Sequence, residues 1–325
     1  ITSRATDACG NVQTIPTSAS FVYDFTPPQS SPTTSGFFNS WPGRVEGTAS
    51  DNYSGVAAVQ ISLQRQSDNR YWNGTTWIVA NTWLTATGTG SWFLPFTPGV
   101  ETFYTLTSRA LDVCGNVQPE PSRSTFVYDV TPPQAAATLA SCYSTWEGAI
   151  RGTASDLVSG VDTVQLQLQR ASDRQYYNGL TWSALATWLV VSGTQSWSLP
   201  FTPTVESFYT VTVTSVDRCG NAQTTPSQTT FAYDKTPPLA ESQISGYLRS
   251  FGTAITGFAS DATSGLDAVQ VRVQRASDGY YYTGDSWALP SRWVTATGTV
   301  SWSLAFSPTV ETTYTVTSRA QDRCG

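Results

Sequence analysis

Nine aspartates have the residue type and the spacing to hold metal ions. Asp24, Asp129 and Asp234 recur every 105 residues, as do Asp51, Asp156 and Asp261, and Asp112, Asp217 and Asp322. Hard carboxylate oxygens from three separate segments suit calcium, with backbone carbonyls and water completing the shell. Each aspartate has an alternative use, which is to cap its own turn by accepting backbone N–H groups. The cysteines are the other reactive groups. Cys9, Cys114, Cys219 and Cys324 keep the same step, whereas Cys142 has Phe37 and Tyr247 in its equivalent places. One cysteine per period cannot bridge within its own period. The pattern is neither a dense disulfide framework nor a Cys-x-x-Cys metal site.

Several chemistries are disfavoured by composition. Histidine is absent, which removes the Ser-His-Asp triad, His-ligated zinc and an imidazole base. No carboxylate pair is unique to one period and the Ser-rich segments lack a base, so no enzyme is expected. The net charge of −6, with Lys235 as the sole lysine, argues against nucleic acid as a partner. No apolar run is long enough for a membrane-spanning helix, so no membrane insertion is expected in this stretch.

A third recurring group is aromatic: Tyr71, Trp72 and Trp77, then Tyr176, Tyr177 and Trp182, then Tyr281, Tyr282 and Trp287. If exposed, these rings could stack on sugars or dock a neighbouring chain, with avidity from repetition. Strand alternation must turn some of them inward, where they would serve as core and cross-strand pairs.

The elements that position these residues follow from the period. A fixed step of this length means one small domain copied in tandem, each copy with its own core. The expected divisions are residues 1–24 as the end of a preceding repeat, then repeats at 25–129, 130–234 and 235–325, the last without its final strand. The first and last ten residues are in phase, so the chain is expected to continue both ways. The alternative is that residues 11–23 complete a neighbour by strand donation.

Within residues 130–234, Thr131-Pro132-Pro133 imposes an extended start. Residues 134–141 read as a weak strand and 142–147 as a polar turn. Val161 to Arg170 alternates apolar and polar, the mark of a half-buried strand. Asn178-Gly179 predicts a type I′ hairpin between Tyr177 and Leu180. Some seven short strands and no helix predict an all-β chain of tandem immunoglobulin-like sandwiches, with Tyr209 at the position of a tyrosine corner. Short Pro-Pro linkers favour a rod.

That architecture gathers the candidate sites at the ends of each sandwich. The linker, the second-to-third-strand loop and the last hairpin meet at the N-terminal end, so Asp129, Asp156 and Asp217 converge. Asp68, Asp173, Glu101 or Glu206 of the preceding repeat could add ligands. Cys142 falls in the first turn of repeat 2, facing the last hairpin of repeat 3, which makes Cys142–Cys324 the sensible bridge. Cys142–Cys219 would need opposite ends of one sandwich. The alternative is that all five remain free thiols acting as small hydrophobes.

Three motifs recur: Asp-x-Thr-Pro-Pro from Asp24, Asp129 and Asp234; Gly-x-Ala-Ser-Asp-x-x-Ser-Gly from Gly47, Gly152 and Gly257; and Asp-x-Cys-Gly-Asn around Cys9, Cys114 and Cys219. This frame resembles the tandem Ig-like repeats of large prokaryotic surface and secreted proteins. The resemblance implies an extracellular or cell-surface location and a structural role. The leading expectation is a filament or fibre segment whose partners are other copies of the chain, met laterally or head to tail. The alternatives are a spacer stalk of a surface adhesin and, third, a repeated carbohydrate-binding module. Calcium at the joints between repeats is part of what the resemblance implies. The cysteines and the aromatic hairpin depart from the family frame. Asn52 and Asn73 fit the glycosylation pattern but do not recur in the later repeats.

Overall fold

The computed structural model describes residues 1–325, and every regular element in it is a strand. Alternation explains the longest ones. In Val161–Arg170, Val164, Leu166 and Leu168 are buried, while Gln165, Gln167 and Gln169 lie on the other face, where their amides stay partly hydrated.

Repeat 2 builds two sheets. Gln134–Ala137, Ala149–Ser155 and Ser196–Pro200 form an antiparallel three-stranded sheet centred on Ala149–Ser155. The opposing sheet runs in the order Cys142–Tyr143, Ser227–Tyr233, Ser207–Asp217, Val161–Arg170, Tyr176–Tyr177, Trp182–Ser183, with Leu189–Val190 also beside Val161–Arg170. Repeat 1 has the same orders. In repeat 3, Tyr314–Asp322 pairs with Leu266–Arg275, and its other edge is open. The turn expected at 142–147 begins as a strand, since Cys142–Tyr143 runs parallel to Ser227–Tyr233 with Cys142 opposite Ala232.

The chain resolves into two compact units. One holds Ile1–Pro133 with the loops Asp156–Gly160 and Asp217–Ala222; the other holds Gln134–Ser155, Val161–Val216 and Gln223–Gly325. In the first unit, residues 1–24 form a small hairpin, Thr2–Ser3 against Thr17–Ser18, with Phe21, Val22 and Tyr23 exposed.

Each repeat has its own core. In repeat 2 it gathers Ile150, Leu166, Leu168, Trp197, Tyr209 and Phe231. The Tyr209 and Phe231 rings stack at 5.2 Å, and Trp146 stacks on Phe231 at 5.0 Å. The Tyr209 hydroxyl donates to the Val205 carbonyl at 2.6 Å, and Tyr104 and Tyr314 make the same bond to Val100 and Val310 at 2.7 and 2.8 Å. This is the tyrosine corner of an immunoglobulin-like sandwich. It lets a large ring enter the core while its one polar atom stays satisfied.

The aromatic hairpin turns one residue later than expected. Tyr177 pairs with Trp182, not with Leu180, and Asn178 N–H donates to the Thr181 carbonyl at 3.0 Å around Gly179-Leu180. A type I′ turn would put Asn178 at positive φ, but only Gly179 is there, at +100°. The Asn178 side chain explains the preference. Its Oδ1 accepts from Leu180 and Thr181 N–H at 3.0 and 2.8 Å, capping the turn from outside it. Thr283 does so with its hydroxyl in repeat 3, accepting from Ser286 N–H at 3.2 Å.

Candidate metal centre

The three aspartate sets each converge. In Asp24/Asp51/Asp112, Asp129/Asp156/Asp217 and Asp234/Asp261/Asp322, one carboxylate oxygen per residue lies within 4.8 Å of the others. Oxygens bound to one calcium at about 2.3–2.6 Å stand at most about 5 Å apart, so the spacing is compatible with a shared ion.

Local turn chemistry places every carboxylate. In the second set, Asp129 takes Thr131 N–H on Oδ1 at 3.1 Å and Ser159 N–H on Oδ2 at 2.9 Å, tying the linker to the loop. Asp156 Oδ1 accepts from Val158 and Gly160 N–H at 3.1 and 2.7 Å, closing its own turn. Asp217 accepts Asn221 N–H at 2.8 Å and the Asn221 amide at 2.7 Å. The Asn221 amide also reaches the Asp129 carbonyl at 2.8 Å, joining the last hairpin to the linker. Asp129 and Asp217 are buried. Turn capping and convergence therefore coexist: the N–H donors hold the carboxylates in place while their remaining lone pairs meet.

The donor set fits a hard divalent cation, all oxygen and three carboxylates strong. In the first set Asp51 Oδ1 is buried with no hydrogen-bond partner, an acceptor free for such an ion. The Asp24 carboxyl is held below the usual carboxylate range, mainly by the Thr26 N–H, with the Ser54 N–H donating to its other oxygen at 3.0 Å. The acidic residues expected from the preceding repeat go elsewhere. Asp68 and Asp173 pair with Arg65 and Arg170 of their own strands. Glu101 accepts the Thr131 hydroxyl at 2.6 Å, and Glu206 accepts Lys235 N–H and the Thr236 hydroxyl at 2.9 and 2.7 Å, so both brace the linker outside the clusters.

Cys142 and Cys324 form a disulfide, with Cα atoms 5.0 Å apart. It joins the edge strand Cys142–Tyr143 of repeat 2 to the last hairpin of repeat 3. Cys9 and Cys114 are exposed thiols and Cys219 is a buried one. Cys219 lies beside the Ser159 hydroxyl and the Phe38 backbone, and burial pushes its thiol pKa up.

The aromatic hairpin splits between the faces. Trp72, Trp77, Tyr177, Trp182, Tyr282 and Trp287 pack against the cores of their repeats. Tyr71, Tyr176 and Tyr281 stand on the other face by alternation, half-buried. Arg65, Arg170 and Arg275 cover the inward Trp rings at 4.6, 4.3 and 4.4 Å. Their guanidinium groups bond Asp68, Asp173 and Asp278, which holds those carboxyls below the usual range.

Two roles were not recognised in the sequence although their residues recur. Asn116 and Asn221 tie the last hairpin to the linker carbonyl. Gln118 and Gln223 accept the buried N–H of Ser30 and Ala135 at 2.8 and 3.0 Å, sewing the first strand to the last hairpin. The 105-residue step was the available signal for both.

Residues 142–235 match the bacterial Ig-like domain family. The match covers most of repeat 2. Solved structures similar to the chain include a tetra-tandem repeat in the extending region of a large adhesion protein, at 19% identity and TM-score 0.35, covering 99% of this chain and 77% of that one. Another is a 1.5-MDa bacterial ice-binding adhesin, at 11% identity and TM-score 0.28, covering 86% and 89%. A third is chicken CNTN1 FN1–FN3, at 13% identity and TM-score 0.27, covering 92% and 95%. No curated protein matches the Ig-like chain.

Proposed function

We propose that this chain is a structural spacer of a cell-surface or extracellular protein, a stalk of Ig-like repeats that positions a binding domain carried elsewhere. The Cys142–Cys324 disulfide carries the reading. Such a bond persists in oxidising surroundings outside the cytosol, and this one spends its geometry on fastening two repeats together. Each repeat fills its interior with its own aromatic core, which suits a module whose task is to hold a distance. The carbohydrate reading loses most of its platform, because six of its nine rings face the cores. Calcium held by the aspartate sets would stiffen the linkers, neutralising carboxylates that otherwise repel one another.

The test is immunogold labelling of intact cells with antibody to these repeats, imaged at a resolution that shows single beads. Surface-anchored strings ending in a separate head support the stalk. Label confined to the cytosol overturns it.

A further inference from the structure

We infer that the Cys142–Cys324 disulfide gives the array a mechanical function: it carries tension past two repeats, so that most of repeats 2 and 3 cannot be pulled open. The argument is one of covalent path. Cys142 lies near the start of repeat 2, on the edge strand Cys142–Tyr143, and Cys324 lies in the last hairpin of repeat 3. Their sequence separation is 182 residues. Tension applied between the ends of the chain runs through repeat 1, reaches Cys142, crosses the sulfur–sulfur bond and leaves through Gly325. The enclosed residues hang beside that path as a closed loop. They hold the core of repeat 2 around Trp197 and Tyr209 and that of repeat 3 around Trp302. Neither core can be extended while the bond is intact.

The position of the bond makes the bypass large. A bridge between neighbouring strands of one sheet would enclose a few residues. This one spans from the second strand of one repeat to the last hairpin of the next, and so encloses most of both repeats. At about 3.3–3.6 Å per extended residue, the loop withholds about 600–650 Å of contour length. A covalent bond also replaces the weaker element at that place. Tyr143 and Cys142 pair with only Tyr233 and Ala232, a short parallel contact that tension on residues 134–141 would peel first.

Repeat 1 is the contrasting case. Phe37 occupies the position of Cys142, and Cys219, which matches Cys324, stays a buried thiol beside the Phe38 backbone. Repeat 1 therefore remains in the load path. The array combines an extensible repeat, able to absorb a pull by unfolding, with an inextensible pair behind it. The biological use of this device rests on the stalk reading, but the measurement below does not: it reports the load path whatever the cellular location.

The experiment is single-molecule force spectroscopy of the full chain held at its two ends, oxidised and then in the presence of a thiol reductant, together with Cys324→Ala. The oxidised chain should show the extension of repeat 1 and lack the enclosed 600–650 Å. Reductant should release that length in the same molecule, and the variant should show it from the first pull. A thiol count on the denatured, unreduced chain should give three of the five cysteines. Full extension of the oxidised chain, or five free thiols, overturns the inference. No release under reductant overturns the inference as well.

Discussion

The indole of Trp197 lies directly on Gly152: a methyl group at that Cα would overlap the ring and the carbonyl of Ala136. The two are opposite each other in the three-stranded sheet, and Gly47–Trp92 and Gly257–Trp302 repeat the relationship. Gly152 is not at positive φ, so the reason for glycine here is space alone. Gly152→Ala should destabilise repeat 2 by about 1–3 kcal/mol through overpacking. Urea unfolding followed by tryptophan fluorescence should show the midpoint fall for that repeat.

Trp182 is half-buried against Tyr177, Phe201 and Tyr209, at 5.4, 6.0 and 5.9 Å between ring centres, with Arg170 over its outer side. Trp182→Ala should cost about 3 kcal/mol, the low end for removing such a ring from a core. Soluble sugars should leave the tryptophan emission of the native chain unchanged. Saturable quenching by a sugar would return the hairpin to the list of binding surfaces.

The aspartate sets predict a calcium-dependent melting temperature. At free calcium about 100-fold above the dissociation constant, binding to the folded state alone adds about 2.7 kcal/mol. Asp261→Asn keeps an oxygen able to accept from Thr263 and Gly265 N–H, yet loses the charge. It should therefore weaken the calcium response more than the calcium-free stability. Identical calorimetric traces in calcium and in chelator would reduce the sets to turn caps.

Tyr104 supplies a pH dependence. Burial pushes its phenol up from 10.0 to about 12, against a smaller opposing pull from Arg65. Because the folded value lies above the unfolded one, the unfolded chain gives up the proton first. The associated stability is complete below about pH 10, falls as pH rises towards 12 and is gone beyond it. Tyr104→Phe should flatten that alkaline fall. The slope is the readout, since the variant also loses the 2.7 Å bond to Val100 at every pH.

Much of this was legible beforehand because it depends on local pattern. The alternation of Val164, Leu166 and Leu168 against glutamines names both the strand and its buried face. The 105-residue step names the repeat and the recurrence of its aspartates. The hairpin was misplaced by one residue because two local devices compete at Asn178-Gly179. The pair can form a type I′ turn, or Asn178 can cap a turn that begins at Gly179. Its carboxamide accepting two N–H groups decides for the second. That single step moves Tyr177 from opposite Leu180 to directly opposite Trp182.

By itself, the sequence determined the strand pattern, the repeat and the residue types at each loop, because periodicity and turn chemistry act over a few neighbouring residues. Tertiary structure decided which of the expected encounters form. Asp156 in any unfolded or local context is a turn cap; only the folding of the linker and the last hairpin onto its loop brings Asp129 and Asp217 within 4.8 Å of it. Cys142 and Cys324 are 182 residues apart in the chain, and no local rule couples them. Their Cα atoms come to 5.0 Å because repeat 2 and repeat 3 present opposite ends of the same fold to each other, and contact across such a distance is set by packing, not by sequence proximity.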